Sequence, residues 1–396
     1  MDFSYTAEQE RFRSELRGWL DRKKAEGAFG GHEHKNLDEV VRDGRRWQAT
    51  LHEGGWCGIH WPKEYGGRSA GLLEQIIFQE ELARAGSPQL INLLALSMVG
   101  PVLISHGSEE QKKRYLKPIL SAEEIWCQGY SEPGAGSDLA ALSTRAVLDG
   151  DAYVISGQKV WTSYAQYADF CILLARTSPD VPKHKGITMF IMDMRVPGVE
   201  VRPLRQMNGD SEFNEVYLED VRVPRENVVG KEGQGWDMAV ALLMHERATL
   251  TFQRQLQSRV ALRDLVRFSR EWDGLGDPPM RDPIQRQRIA QAWIDSEAMR
   301  LTALRHLTKQ LRGGHPGPEG SMEKLFWSEM YQRMLMSAVG MLGPYANLAP
   351  GDEHAPSDGR WPHLMLYSRG RTIAAGTSEV QRGIIAQRVL GMPKDR

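Results

Sequence analysis

The chain has 396 residues, 41% of them hydrophobic, and its 50 basic side chains against 51 acidic ones leave a formal charge of -1. That length supports more than one core, so two or three domains are expected. The charge balance excludes a global field for nucleic acid or an anionic membrane, and any anionic ligand has to be held by a local site.

Met1-Asp2-Phe3-Ser4 lacks the basic and apolar regions of a secretory leader, and no apolar run approaches a membrane span, so a cytoplasmic enzyme is expected. Thr6 and Gln9 form a capping-box pair, followed by Phe12, Leu16, Trp19 and Leu20 on one helical face. His32 and His34 stand in a Gly-rich loop with no partnering Cys or carboxylate pattern and read as solvated, not metal-bound. Further helices are predicted over Leu72 to Ala85 and, after the Ser108-x-x-Gln111 cap signal, over Lys112 to Leu120. Residues 1–122 thus read as a helical domain.

The texture changes after Glu124. Tyr153 to Thr162, Phe170 to Ala175, Ile187 to Met192 and Glu215 to Val223 read as strands, with Asp149-Gly150 as a hairpin signal, giving a β domain over 123–232. From 233 to 396 long helices return, at Met238 to Arg267, Asp282 to Arg312 and Glu323 to Leu342, with a last one after Gly376. Gly313 to Gly320 reads as a helix connection. Cys57, Cys127 and Cys171 are odd in number and widely spaced, matching neither a disulfide framework nor a zinc site.

Three blocks could carry chemistry. Tyr130-Ser131-Glu132-Pro133-Gly134-Ala135-Gly136-Ser137-Asp138 offers small residues, hydroxyls and free amides to a heterocycle or a phosphate. It has no P-loop lysine, no Gly-x-Gly-x-x-Gly and no Gly-x-Ser-x-Gly elbow, and alone it reads as a plain loop. In Gln158-Lys159-Val160-Trp161-Thr162-Ser163 a strand ends in a large aromatic and two hydroxyls, and without context Trp161 reads as a core tryptophan. In Ala374-Ala375-Gly376-Thr377-Ser378-Glu379-Val380-Gln381-Arg382, Thr377 or Ser378 caps the final helix, whose free amides also suit an anion.

Together these blocks, with Trp61-Pro62-Lys63-Glu64-Tyr65-Gly66-Gly67 upstream, resemble the acyl-CoA dehydrogenase family across essentially the whole chain. The resemblance implies a mainly α fold with a central β domain: an N-terminal helical domain, a barrel-like middle domain and a C-terminal four-helix bundle, assembled as a tetramer. It implies FAD as cofactor, acyl-CoA as substrate and an electron-transfer flavoprotein as acceptor. By matched position, Gln128, Tyr130 and Ser131 would line the flavin ring, Trp161 would cover it, and Thr162 and Ser163 would bond its edge. Thr377 and Glu379 would lie near the FAD phosphates and ribose, and Ser137 would meet the pantetheine arm.

The family reaction needs a carboxylate at the substrate α-carbon. Many members carry a glutamate just before the Gly-Thr-Ser of the last block, where this chain has Ala375. A subset places it on the first helix of the C-terminal bundle before an arginine, and this chain has Met244-His245-Glu246-Arg247 there. A Glu-Arg pair alone reads as a solvated helix face. The loss at Ala375 together with the gain at Glu246 implies Glu246 as base, with Arg247 beside the substrate and His245 turned elsewhere. A second departure concerns motifs that bind the partner subunit's FAD in homotetramers: Arg-x-x-Phe-Gly is replaced in Arg270 to Asp277, and Gln-x-x-Gly-Gly-x-Gly in Gly340 to Ala346. This implies one subunit of a heteromeric α2β2 dehydrogenase resembling those of actinobacterial steroid side-chain degradation. The alternatives are a homotetramer with substitute contacts from Arg281 or Arg286, an acyl-CoA oxidase, and a non-catalytic partner subunit.

Overall fold

Helix starts in the N-terminal part are set by side chains that take up otherwise unpaired amides. In the computed structural model the described residues are 4–29, 36–272, 274, 276–313 and 317–393, and the side chains of 241–252 also lie outside the description. His32 and His34 are therefore outside the described residues. Thr6, Asn36 and Ser108 each close a capping box, opening α1 (Ala7–Ala25), α2 (Leu37–Glu53) and α5 (Glu109–Ser121). Between them run α3 (Leu72–Ala85) and α4 (Gly100–His106). Leu16 and Leu20 of the expected α1 face are fully buried, beside Trp47, Trp56 and Trp61. Trp61 lies so close to Gly100 that a Cβ there would fall 1.9 Å from its Cζ2 atom, which explains glycine at this position.

Seven strands follow: β1 (Trp126–Gly129), β2 (Arg145–Asp149), β3 (Ala152–Ser163), β4 (Phe170–Arg176), β5 (Ile187–Asp193), β6 (Val199–Leu204) and β7 (Phe213–Pro224). They form one sheet in the order β1-β4-β2-β3-β7-β6, with β5 also paired to β4. The predicted hairpin at Asp149-Gly150 joins β2 to β3, with Asp149 opposite Ala152 and Gly150 at φ 64°. The expected strands fall inside β3, β4, β5 and β7; β6, with Pro203 and several charges, is an edge strand of weak signal. Ile155, Leu173, Phe190, Met192 and Val221 are fully buried in the sheet's core.

The C-terminal part packs α6 (Gly235–Arg270), α7 (Pro283–Leu311), α8 (Gly320–Leu342) and α9 (Arg360–Ser368) around Leu265, Leu335, Ala338 and Trp361, and α10 (Ser378–Ile384) leans on α8. No helix among the described residues is long and apolar enough to cross a membrane.

One buried amide joins the helical layer to the sheet. Asn92, 0% exposed, donates from Nδ2 to the Glu124 carbonyl at 2.8 Å and the Ile119 carbonyl at 3.2 Å, and accepts the Trp126 amide at 3.0 Å. Its own backbone amide donates to Gln48 Oε1 at 3.1 Å. Helices α2 and α5 and strand β1 thus share one polar centre.

Candidate active site

The first block leaves β1 as a tight turn, in which Glu132 and Ala135 exchange backbone hydrogen bonds of 3.2 and 3.0 Å. Gln128 and Ser131 are half-buried, Tyr130 is buried, and Gly134, Gly136 and Ser137 are exposed. The Val160 amide donates to the Ser131 carbonyl at 2.9 Å, which brings the second block against the first.

The second block owes its shape to a bulge. Lys159 is opposite Val216 and Thr162 opposite Asn214, so three steps along β3 match two along β7. The extra residue re-aims the strand, as bulges near functional sites do. Trp161 takes φ 61°, in the left-handed region, and turns out of the sheet with 60% of its surface exposed and an edge-on contact to Phe213 at 6.2 Å. Such a backbone costs about 1–3 kcal/mol and has to be held by its surroundings. Here the Asn214 side-chain amide donates to the Thr162 carbonyl at 2.9 Å, and the Tyr164 amide donates to the Glu212 carbonyl at 2.6 Å.

The reading of Trp161 made without context changes at this point, and so does the hydroxyl role that the resemblance implied for Thr162. Trp161 is not a core residue, because the bulge places its indole outside. Thr162 is 0% exposed, with no hydrogen-bond partner for its hydroxyl among the described residues, so it presents no hydroxyl to a ligand. The half-buried Ser163 is left as the hydroxyl at that edge. An open indole, the Ser131 and Ser163 hydroxyls and nearby backbone groups form a donor set that fits a flat heterocycle with one polar edge.

Sequence reasoning passed over several residues here. Glu132 and Lys159, each inside a quoted block, form a buried ion pair at 2.8 Å. The signal available was Lys159 as the single charged residue of β3. Beside Ser137, Lys183 Nζ reaches both Asp138 oxygens at 2.8 Å. Its neighbours His184 and Lys185 meet Trp236, at 4.8 Å between ring centres, and Asp237, at 3.3 Å. These form a polar rim between the first block and the start of α6.

In the third block Ala375 and Gly376 both have positive φ, 55° and 92°. The turn is held from beneath by Lys324 Nζ, donating to the Gly376 carbonyl at 2.7 Å, and by Gln381 Nε2, donating to the Ala375 carbonyl at 2.9 Å. Thr377 caps α10 by accepting the Val380 amide at 3.2 Å. Glu379 is exposed, and its own backbone amide and then the Thr377 hydroxyl hold its carboxyl below the usual range. Among the described residues no hydrogen bond or ion pair joins Thr377 or Glu379 to the Ser131 and Trp161 loops. The C-terminal helices do reach the sheet next to Ser163: His363 Nε2 lies 3.1 Å from Asp210 Oδ1, and the Tyr367 hydroxyl bonds Glu212, whose carboxyl burial pushes up.

Glu246, Arg247 and His245 lie along α6, but their side chains are outside the described residues. Arg270 closes the same helix. Both arginines considered as substitutes for the missing partner-binding motif are engaged locally. Arg281 pairs with Asp277 at 2.6 Å, and Arg286 donates to the Arg281 carbonyl at 2.8 Å.

Residues 6–123, 127–221 and 233–390 match the family models of the acyl-CoA dehydrogenase N-terminal, middle and C-terminal domains. The acyl-CoA dehydrogenase IpdE1 of Mycobacterium tuberculosis is 38% identical over 98% of both chains. Among solved structures, the Tcur3481-Tcur3483 steroid ACAD superposes with a TM-score of 0.86 at 33% identity, covering 100% of both chains. The ChsE4-ChsE5 complex of Mycobacterium tuberculosis superposes at 0.82 with 33% identity, again covering 100% of both. With all three domain models matched in order and a relative of this identity along its length, the chain belongs to the acyl-CoA dehydrogenase family and is an oxidoreductase of that kind.

Proposed function

We propose that the chain is the base-bearing subunit of a heteromeric, FAD-dependent dehydrogenase that draws an α,β-double bond into a bulky acyl-CoA thioester and passes electrons to an electron-transfer flavoprotein. The observation that carries this reading is the strained, outward Trp161 beside Ser163, tied through Val160 to Ser131. FAD, when bound, supplies the two-electron acceptor. Ser131, Ser163 and the backbone of Gln128 and Tyr130 would hold the polar edge of its ring and Trp161 would cover the ring. Thr377 and Glu379 would lie near the phosphates and ribose of the cofactor. Ser137 would receive the pantetheine arm, with Arg247 nearer the acyl group.

Glu246 is the base in this reading. Its role is to take the α-proton, and desolvation by a bound acyl chain raises a carboxylate's proton affinity towards that of a working base. With Ala375 at the position where many relatives carry the carboxylate, the space near the reacting carbons admits branched or ring-bearing acyl groups. The steroid ACAD and ChsE4-ChsE5 neighbours support both the bulky substrate and the mixed assembly.

Glu246→Gln tests the assignment. The variant should keep its flavin spectrum yet lose turnover by about 10²-fold or more, the usual worth of a positioned general base. The assay is anaerobic acyl-CoA oxidation with an electron-transfer flavoprotein or dye, repeated in air to separate dehydrogenase from oxidase, over a panel from straight-chain to steroid side-chain thioesters. Near-normal activity in the variant would sink the base, and strict preference for short straight chains would sink the bulky substrate.

A further inference from the structure

Glu132 adjoins Ser131, and Lys159 stands two residues before Trp161; the two are 5% and 0% exposed. The Lys159 ammonium donates to Glu132 Oε1 at 2.8 Å and to the Tyr130 carbonyl at 3.2 Å. The Thr144 amide donates to Oε1 at 2.9 Å, and the Ser143 amide and hydroxyl donate to Oε2 at 2.6 and 2.8 Å. These bonds tie together the first block, the loop end before β2, and β3 just ahead of its bulge.

Taking two charges out of water makes such a pair a poor stabiliser beside an apolar pair of the same volume. A fully bonded pair does something an apolar contact does not: it fixes one geometry, because any slip leaves a buried charge without a partner. Burial pushes the Glu132 carboxyl up, but the Lys159 charge and the hydrogen bonds from Lys159, Thr144 and Ser143 override it and hold the group at about 2. Burial pushes the Lys159 ammonium down, and Glu132 opposes this.

We infer that Glu132 and Lys159 are positioning residues of the redox site, fixing the Ser131 loop relative to the Trp161–Ser163 edge so that the two sides of the flavin ring are held in register. The inference rests on the ring lying at those loops, as proposed above. Neither side chain touches the ring; both act through the backbone of their neighbours.

The test uses the flavin-loaded protein, co-expressed with its partner if the complex is the form that retains FAD. Lys159→Met should lower kcat by about tenfold or more, shift KM for acyl-CoA by less than about threefold, and blur the flavin absorption band, since small misplacements cost rate more than binding. Glu132→Gln leaves the buried Lys159 ammonium without its counter-charge. Its kcat should fall by about tenfold or more, as in Lys159→Met. The double variant Glu132→Gln, Lys159→Met, which removes both buried charges, should recover part of the melting temperature lost in either single variant yet keep the low kcat. Ser143→Ala, which retains both charges and the Ser143 amide bond, should lower kcat about two- to fivefold while lowering the melting temperature by only about 1–3 °C. A double variant with parental kcat and spectrum, or an unaffected Ser143→Ala, would reduce the pair to a packing element and overturn the inference. Failure of the functional reading looks different: a parent protein whose bound flavin no acyl-CoA reduces.

Discussion

Thr162→Val separates the two hydroxyls at the end of β3. Thr162 lies opposite Asn214 in the ladder, fully buried, and its hydroxyl has no protein partner among the described residues. Burying a hydroxyl without a partner costs about 1–3 kcal/mol, while valine keeps the shape and the branching a strand favours. The exchange should therefore stabilise the flavin-free protein by about 1–2 kcal/mol. For a chain of this length the unfolding entropy is roughly 0.8 kcal/mol per degree, so the melting temperature should rise by about 1–3 °C. FAD affinity should stay unchanged. Ser163→Ala is the counterpart: it should leave the flavin-free melting temperature alone and weaken FAD about two- to tenfold, the worth of one hydrogen bond. Both quantities come from thermal unfolding with and without FAD and from titration by flavin fluorescence. If Thr162→Val lowers the melting temperature, its hydroxyl is bonded; if it weakens FAD while Ser163→Ala does not, the edge assignment is reversed.

Two further outcomes concern pH and assembly. The Glu132 carboxyl sits at about 2 in the folded chain against an ordinary 4.5, so its stabilisation is complete above pH 4.5 and is lost as pH falls towards 2. The parent's advantage over Glu132→Gln in urea midpoint should shrink across that window by an amount equivalent to roughly 3 kcal/mol, and a constant difference would contradict the depressed value. The chain purified alone should carry little flavin and melt lower than the co-expressed complex, as the ratio of visible to ultraviolet absorbance and light scattering will show. A yellow homotetramer with one FAD per subunit would end the heteromer reading.

Much of the fold was legible because its signals are local. The capping boxes at Thr6 and Ser108 and the runs that became α3, β4 and β5 depend on residues a few positions apart. The site was legible only as three blocks whose resemblance named a family. What it missed depends on register. A single extra residue between Lys159 and Thr162 decides which side chains leave the sheet, and no periodicity rule reports a bulge. That is why Trp161 read as core and why Thr162 and Ser163 read alike. The pairing of Glu132 with Lys159 is likewise tertiary, set by β1 and β3 being neighbours of the same loop. Arg281 and Arg286 looked available from sequence because their engagement with Asp277 and a backbone carbonyl arises only when the turn before α7 folds.

The amide of Asn92 has a consequence for how the molecule breathes. Separating the helical layer from the sheet would strand its side chain and the partners on Gln48, Ile119, Glu124 and Trp126 in an apolar setting, each loss worth about 1–3 kcal/mol. Those costs fall due together, so helices α2 and α5 and strand β1 should open as one cooperative unit. Amide protons in the two regions should exchange with solvent at a common, slow rate, with no partly open form of lower energy between the folded chain and loss of the whole unit.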